Sequence, residues 1–307
     1  EFLSLSARGA SSAAGFSFSI FSTWYTFLVK SYRAKPAVSE IANQALKEYS
    51  DLTRRLLFHR GIDTAEKAEV FLNPNYETHL HDPYLLCDMD KAVKRVLSAI
   101  MRKEKITVFS DYDADGIPGA VIMNDFFKKI GYINFEIYIP HRHDEGFGLN
   151  HEAIESLAKA GTKLLITLDC GIADLEEVKR ASELGLDVII TDHHMPTENG
   201  LEKSSSDLLS RQVLPQAYAI INPKRADCAY PEKMLCGSGV AFKFIQALII
   251  QAPAEWQIKE GWEKWLLDMV GLATLSDMVP LTGENRAFAH YGLKVLRKSP
   301  RVGLMKL

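Results

Sequence analysis

Three acidic or acid–histidine clusters each follow a short apolar run, and their side chains are oxygen and imidazole-nitrogen donors. Asp111-Tyr112-Asp113-Ala114-Asp115-Gly116 follows the run 106–109, Asp169-Cys170-Gly171 follows 164–168, and Asp192-His193-His194 follows 188–191. Carboxylate and imidazole hold divalent ions, and ions held this way activate water and clamp phosphate oxygens. The alternate carboxylates of the first cluster would repel one another unless a cation neutralised them. Aspartate is also a favoured helix cap, which explains one of the three but not all, and calcium loops share the same alternation. Asp169 taken alone reads as a cap for a helix starting near Asp174. Adjacent histidines are hard to place in an apolar core, with a hydrogen-bonded structural pair as the plainer alternative to ligation.

Such clusters need a scaffold that gathers distant segments. Apolar runs 106–109, 135–139, 164–168 and 188–191 alternate with helical patterns at 120–130, 151–160 and 175–184, and 219–221 reads as a fifth strand. Strands alternating with helices at this spacing predict βαβ units. The expected fold class is therefore α/β, a mainly parallel, doubly wound sheet flanked by helices, with an N-terminal helical prelude. Ligands of such sheets sit beyond the carboxyl ends of the strands, where all three clusters fall. Gly116 permits a sharp turn out of the first strand. The prelude comprises an amphipathic helix over 38–59, a short helix after Thr64 stopped by Asn73-Pro74, and a third helix over 89–103. Helices are expected again over 240–250, 256–275 and 285–297, and the polar stretch 197–211 reads as a surface loop.

Composition narrows the classes without choosing one. The 307 residues are 47% apolar and 24% charged, enough for one large core or two modest ones. A net charge of −3 gives no global pull toward nucleic acid, so a polyanion would be held by a local basic groove or by metal. Cys87, Cys170, Cys228 and Cys236 form no C-x-x-C pair, which points to a reducing compartment. The chain opens on Glu1, and residues 2–39 contain no acid. This basic, serine-rich stretch reads as a leader or a disordered extension, and its apolar part is too short and hydroxylated to span a membrane.

The three clusters, in this order, resemble the DHH phosphoesterase superfamily. The likeness extends to Arg60-Gly61-Ile62, Phe71-Leu72-Asn73-Pro74, Asp82-Pro83, Glu145-Gly146-Phe147-Gly148-Leu149, Ile221-Asn222-Pro223-Lys224 and Gly237-Ser238-Gly239-Val240-Ala241-Phe242-Lys243. Together these resemble the RecJ family of bacterial single-stranded-DNA exonucleases over about residues 46–296. The resemblance implies a DHH catalytic domain at 105–298, after a leader or disordered extension at 1–36 and a helical region at 37–104. Residues 299–307 would begin a connection to a further, substrate-binding lobe. It implies a hydrolase removing mononucleotides from the 5′ end of single-stranded DNA in repair and recombination. Two divalent ions would serve it, manganese before magnesium.

Carried over residue by residue, the metal ligands would be Asp113, Asp115, Asp169, His193 and Asp277. Asp277 lies in Ala273-Thr274-Leu275-Ser276-Asp277-Met278-Val279-Pro280, which is similar to the family's fourth motif. Asp111 would be a further ligand or a group orienting one, and His194 would stand beside the scissile phosphate. Arg142 follows a strand end and is expected to fork onto phosphate, unless Asp144 or Glu145 pairs with it. Gly237-Ser238-Gly239, with Lys243 nearby, could present backbone N–H groups to an anion or simply make a packing turn. The partners implied are single-stranded DNA, a single-strand-binding protein and a helicase, in the cytoplasm at the nucleoid and with no membrane. An organellar or exported location is the alternative that the leader raises.

Pro118 stands where the family carries a small hydroxyl residue. Proline is tolerated in a first helical turn, so a lost hydrogen bond is expected there rather than a lost site. Alternatives within the superfamily are cleavage of short RNA or cyclic dinucleotides. From another class comes a catalytically silent nucleic-acid-binding module, which would not need the intact acid and histidine set.

Overall fold

The computed structural model describes residues 34–198 and 212–306. The expected leader and most of the expected 197–211 loop lie outside the described residues. The chain divides into two compact units, Glu1–Ala65 and Glu66–Leu307.

In the first unit, α1 (Glu40–Ala45) and α2 (Asp51–Phe58) replace the single helix expected over 38–59. The break has a local cause. Ser50 is extended and its hydroxyl accepts the Thr53 N–H at 3.2 Å, capping a new helix rather than continuing the old one.

The second unit opens with α3 (Ala65–Leu72) and α4 (Met89–Met101). Five strands then form one sheet, β1 (Lys105–Ser110), β2 (Phe135–Tyr138), β3 (Thr162–Leu168), β4 (Asp187–Thr191) and β7 (Ala219–Ile221), in the order β2-β1-β3-β4-β7. All neighbours are parallel, as the sequence led us to expect. A separate antiparallel pair, β5 (Thr197–Glu198) with β6 (Gln212–Val213), stands at the two ends of the stretch read as a loop. Crossover helices α5 (Gly116–Lys129), α6 (His151–Lys159) and α7 (Leu175–Glu183) connect the strands.

Side-chain alternation assigns the strands to two cores. Ile106, Val108, Leu164, Ile166 and Ile189 face a cluster shared with α4, α5 and α8 (Gly237–Ile250). Phe109, Leu165, Val188 and Ile190 face the cluster with α6 and α7. Each fully buried aliphatic or aromatic side chain contributes on the order of 1.5–3 kcal/mol. A register slip of one residue would exchange the two faces. The expected helix over 256–275 is instead two 3-10 turns, Ala254–Trp256 and Trp262–Leu266, followed by α9 (Leu267–Ser276). Gln257 and Gly261 adopt left-handed backbone (φ 47 and 75), which stops a continuous helix there. Helices α10 (Gly283–Leu296) and α11 (Val302–Lys306) complete the unit. Among the described residues no helix is long and apolar enough to cross a membrane.

The strand ends are level with one another. Ser110 pairs with Leu168, Leu168 with Thr191, and Thr191 with Ile221. Beyond them the ladder continues one step: the N–H groups of Asp111, Asp169 and Asp192 donate to the carbonyls of Leu168, Thr191 and Ile221. Three aspartates therefore stand in one transverse row. Strand order reverses between β1 and β3, the position at which α/β sheets open a ligand crevice.

Candidate metal centre

The row is extended by loops whose geometry is fixed locally. Asp113 Oδ1 accepts the N–H groups of Asp115 and Gly116 at 2.8 and 2.9 Å. Of the three acids, Asp113 is thus the one that satisfies backbone amides at the entry to α5, whose N-cap residue Asp115 makes no side-chain cap bond. A Cβ on Gly116 would collide with the Asp111 carbonyl, so this turn closes only around glycine.

Asp115 points the other way. Its buried carboxylate accepts Gly237 N–H at 2.5 Å and Ser238 N–H at 2.8 Å, while the Ser238 hydroxyl donates to the Asp115 carbonyl. The glycine-rich turn expected to meet an anion does so, but the anion is the protein's own Asp115. The same helix start abuts Asp169, since a Cβ on Gly237 would stand 2.5 Å from Asp169 Oδ1.

Asp169 has left-handed backbone (φ 62) and is 2% exposed. Its Oδ1 lies 3.1 Å from His193 Nε2 yet accepts no aligned hydrogen bond. Burial, then the nearby charges of Asp115, Asp192 and Asp113, push its carboxyl up to about 10. A carboxylate in that setting is stable as an anion only beside a cation.

His193 is buried, and its Nδ1 faces the Leu235 carbonyl at 3.0 Å. That acceptor assigns the proton to Nδ1 and turns the Nε2 lone pair toward Asp169 and toward Asp115, 3.8 Å away. Asp277 ends α9, with Oδ2 3.8 Å from the same ring, and burial with Asp115 nearby raises its carboxyl. The Ser276 hydroxyl donates to the Ala114 carbonyl at 3.0 Å, tying this segment to the first cluster. In an α-helix that carbonyl would receive the amide of residue 118, which proline lacks. The Ser276 hydroxyl stands at that carbonyl, with the Leu272 and Ala273 carbonyls of its own helix also within reach of its one hydrogen.

Three sets of donors have ligand atoms within 4.8 Å of one another: Asp111–Asp113–Asp169, Asp169–His193–His194 and Asp115–His193–Asp277. Asp169 and His193 are each shared by two of them. The five expected ligands and Asp111 are therefore brought together, although they come from four segments. Their donor types, the bare buried Asp169 oxygen and the inward Nε2 of His193 all fit a divalent cation. Asp111 is buried, which raises its carboxyl, while the Tyr112 N–H at 2.7 Å opposes the rise.

His194 is 58% exposed on its side chain, and its Nδ1 faces Asp192 Oδ1 at 2.8 Å, which raises its pKa. It borders a cleft of about 330 Å³ lined also by Asp111, Asp113, Asp169, Asp192 and Phe147. Arg142 lies over the Tyr112 ring, 4.5 Å from its centroid, and that ring meets Phe147 at 5.0 Å. The acids expected to compete for Arg142 are engaged elsewhere. Asp144 pairs with His141 at 2.6 Å, and Glu145 accepts from Tyr138 and the His141 N–H.

Lys243 requires a correction. It is fully buried, donating to Glu284 at 3.0 Å and to the His81 carbonyl at 2.6 Å, so it serves the core rather than a phosphate. The helix Gly237–Ile250 is apolar on every side, and a lysine within such a pattern is buried and paired. That signal was present in the sequence. Two residues quoted within motifs receive no role of their own from the sequence. Asp192 accepts four hydrogen bonds, from the N–H groups of His193, His194 and Ile172 and from the His194 ring. Asn222 donates to the His194 carbonyl at 2.9 Å.

A parallel sheet that gathers carboxylates and imidazoles at its switch point defines an α/β core whose donors could hold a metal ion, and the DHH family model (DHH family, N-terminal domain) matches residues 105–274. The chain belongs to the DHH family. Its relatives include the single-stranded-DNA-specific exonuclease RecJ of Bacillus subtilis (strain 168), 42% identical over 256 residues, covering 83% of this chain and 29% of that protein. RecJ of Escherichia coli (strain K12) is 32% identical over 260 residues, covering 81% and 41%. The chain thus spans less than half the length of either relative. Among solved structures, exonuclease RecJ bound to manganese aligns with TM-score 0.61 at 29% identity, over 74% of this chain and 51% of that one. RecJ in complex with Mn2+ from Thermus thermophilus aligns with TM-score 0.65 at 26% identity, over 87% and 34%.

Proposed function

We propose that this chain is the catalytic core of a divalent-metal-dependent exonuclease that removes mononucleotides from the 5′ end of single-stranded DNA. The observation that carries this reading is that Asp113, Asp115, Asp169, His193 and Asp277 fall in overlapping donor sets, and that the buried Asp169 Oδ1 within them accepts no hydrogen bond. The RecJ relatives supply the substrate class. Two bound ions would supply an acidified water and charge compensation at the phosphate. Asp169, a member of two donor sets, would help to hold both ions, and the imidazole of His193 would favour manganese over magnesium.

The remaining roles belong to side chains. Asp192 orients His194 through Nδ1 and favours its imidazolium form, which could donate its second proton from Nε2 to a phosphate oxygen in the cleft. Arg142 brings a guanidinium that forks onto phosphate. Tyr112 and Phe147, the latter 77% exposed, offer ring faces on which a terminal base can stack.

The test is release of nucleotides from 5′-labelled single-stranded DNA by the 307-residue chain, with Mn2+ or with chelator, beside a short RNA. Mononucleotides from DNA with Mn2+ alone support the proposal. Cleavage of RNA only would move the chain to the oligoribonucleases, and strand binding without cleavage would overturn the catalytic reading. Arg142→Ala is expected to raise KM about tenfold, as loss of a charged hydrogen bond to phosphate does, with a smaller change in kcat.

A further inference from the structure

We propose that Asn285 is a positioning residue for the metal centre, one amide that sets both the His193 ring and the Asp277 loop. The inference rests on the metal-centre reading above. Asn285 lies in the first turn of α10 and is buried. Its Nδ2 donates to the Met234 carbonyl at 2.7 Å and to the Pro280 carbonyl at 3.2 Å. Met234 precedes Leu235, whose carbonyl fixes the Nδ1 proton of His193. Pro280 closes the short loop that begins at Asp277. Two ligands more than eighty residues apart in sequence are thus referred to a single NH2 group.

The orientation of that amide is forced. Two carbonyls face it, and a flipped amide would set oxygen against oxygen. The consequence is that Asn285 Oδ1 is buried with no hydrogen-bond partner. A residue selected for packing alone would satisfy both ends or be apolar. An acceptor left bare for the sake of two donors marks a site where stability yields to geometry. The Asp277 loop needs such a tie. Met278 has left-handed backbone and is 87% exposed, and only Val279 of the neighbouring residues joins a small buried cluster, with Cys236 and Ala273.

Asn285→Leu keeps the branched outline and removes both donors, while Asn285→Ser keeps one small donor. Two readouts separate positioning from mere stability. The first is the ¹⁵N signature of the His193 ring in the metal-free chain, expected to show an Nδ1-protonated tautomer in wild type and a mixture in Asn285→Leu. The second is Mn2+ affinity by calorimetry, expected to fall about 10–100-fold in Asn285→Leu, the range for residues that orient ligands. Asn285→Ser is expected to recover part of both, and it decides the matter alone should the leucine variant not fold. A folded variant with the wild-type His193 signature and wild-type Mn2+ affinity overturns the proposal. Absence of Mn2+ binding by wild type would overturn the metal-centre reading instead, and the His193 signature would still decide whether Asn285 sets the ring.

Discussion

The carboxyl ends of β3 and β4 are neighbours in the sheet, both carry a buried aspartate, and the two carboxylates are opposites. Asp192 accepts four hydrogen bonds. Burial alone would raise it, but the His194 ring and the N–H groups of His194 and Ile172 outweigh burial and hold it below the usual carboxylate range. Asp169, one strand away, keeps an oxygen with no hydrogen bond, and burial among other acids drives it up to about 10. The backbone around Asp192 supplies its positive charge density in advance. Around Asp169 the protein offers no such complement to Oδ1. A saturated buried carboxylate serves the framework, whereas one of the Asp169 kind is suited to hold a cation.

The comparison can be tested at three levels. The largest effect is expected from asparagine at each position. Asp169→Asn should lower nuclease turnover by on the order of 10²–10³-fold, as removal of a preorganised electrostatic group does, while raising the Tm of the chelator-treated protein. Asp192→Asn should lower that Tm, because an NH2 would face the Ile172 N–H and leave it unpaired at a cost of about 1–3 kcal/mol. Thermal shifts of the same sign in both variants would remove the distinction.

Titration sharpens it. In metal-free protein the folded-state pKa of Asp169 lies above its unfolded value of about 3.9. Its contribution is intact below that value and is lost as pH rises toward about 10. Asp192 is depressed, so its contribution is present above the ordinary carboxylate range and is lost as pH falls through the folded value. The Tm advantage of Asp169→Asn over wild type in chelator should widen from about pH 5 to about pH 9. An advantage independent of pH would show that Asp169 is not protonated in the metal-free fold.

The smallest effect concerns the hinge between the first cluster and Asp277. Pro118→Ser restores an amide that competes with Ser276 for the Ala114 carbonyl. We expect a Tm within about 3 °C of wild type, corresponding to about 1 kcal/mol, and unchanged Mn2+ affinity by calorimetry. A tenfold loss of affinity would make Ser276 more important to the site than its geometry suggests.

The sheet was legible because its central strands are apolar on both faces and end at acidic turns, a pattern set by local sequence. The row of Asp111, Asp169 and Asp192 follows from parallel register, which apolar run lengths encode indirectly. Asp277 was reachable only through motif likeness, since a helix-terminal aspartate has no distinctive local pattern. The service of Asp115 as a cap for Gly237 and Ser238 was not legible, because the partners lie more than 120 residues apart. A separation of 41 residues likewise concealed the pairing of Lys243 with Glu284, although the helix's all-round apolarity held a clue. The break at Ser50 was missed because a favourable apolar spacing ran through it, and a single cap hydrogen bond outweighed that spacing.

Asp115 holds the start of the helix Gly237–Ile250 by both carboxylate oxygens, and further along that helix Lys243 makes its buried pair with Glu284 of α10. The reactive end of the sheet and the interior are therefore mechanically one piece. A change at that one carboxylate is expected to disturb the start of a helix whose further turns are packed in the interior.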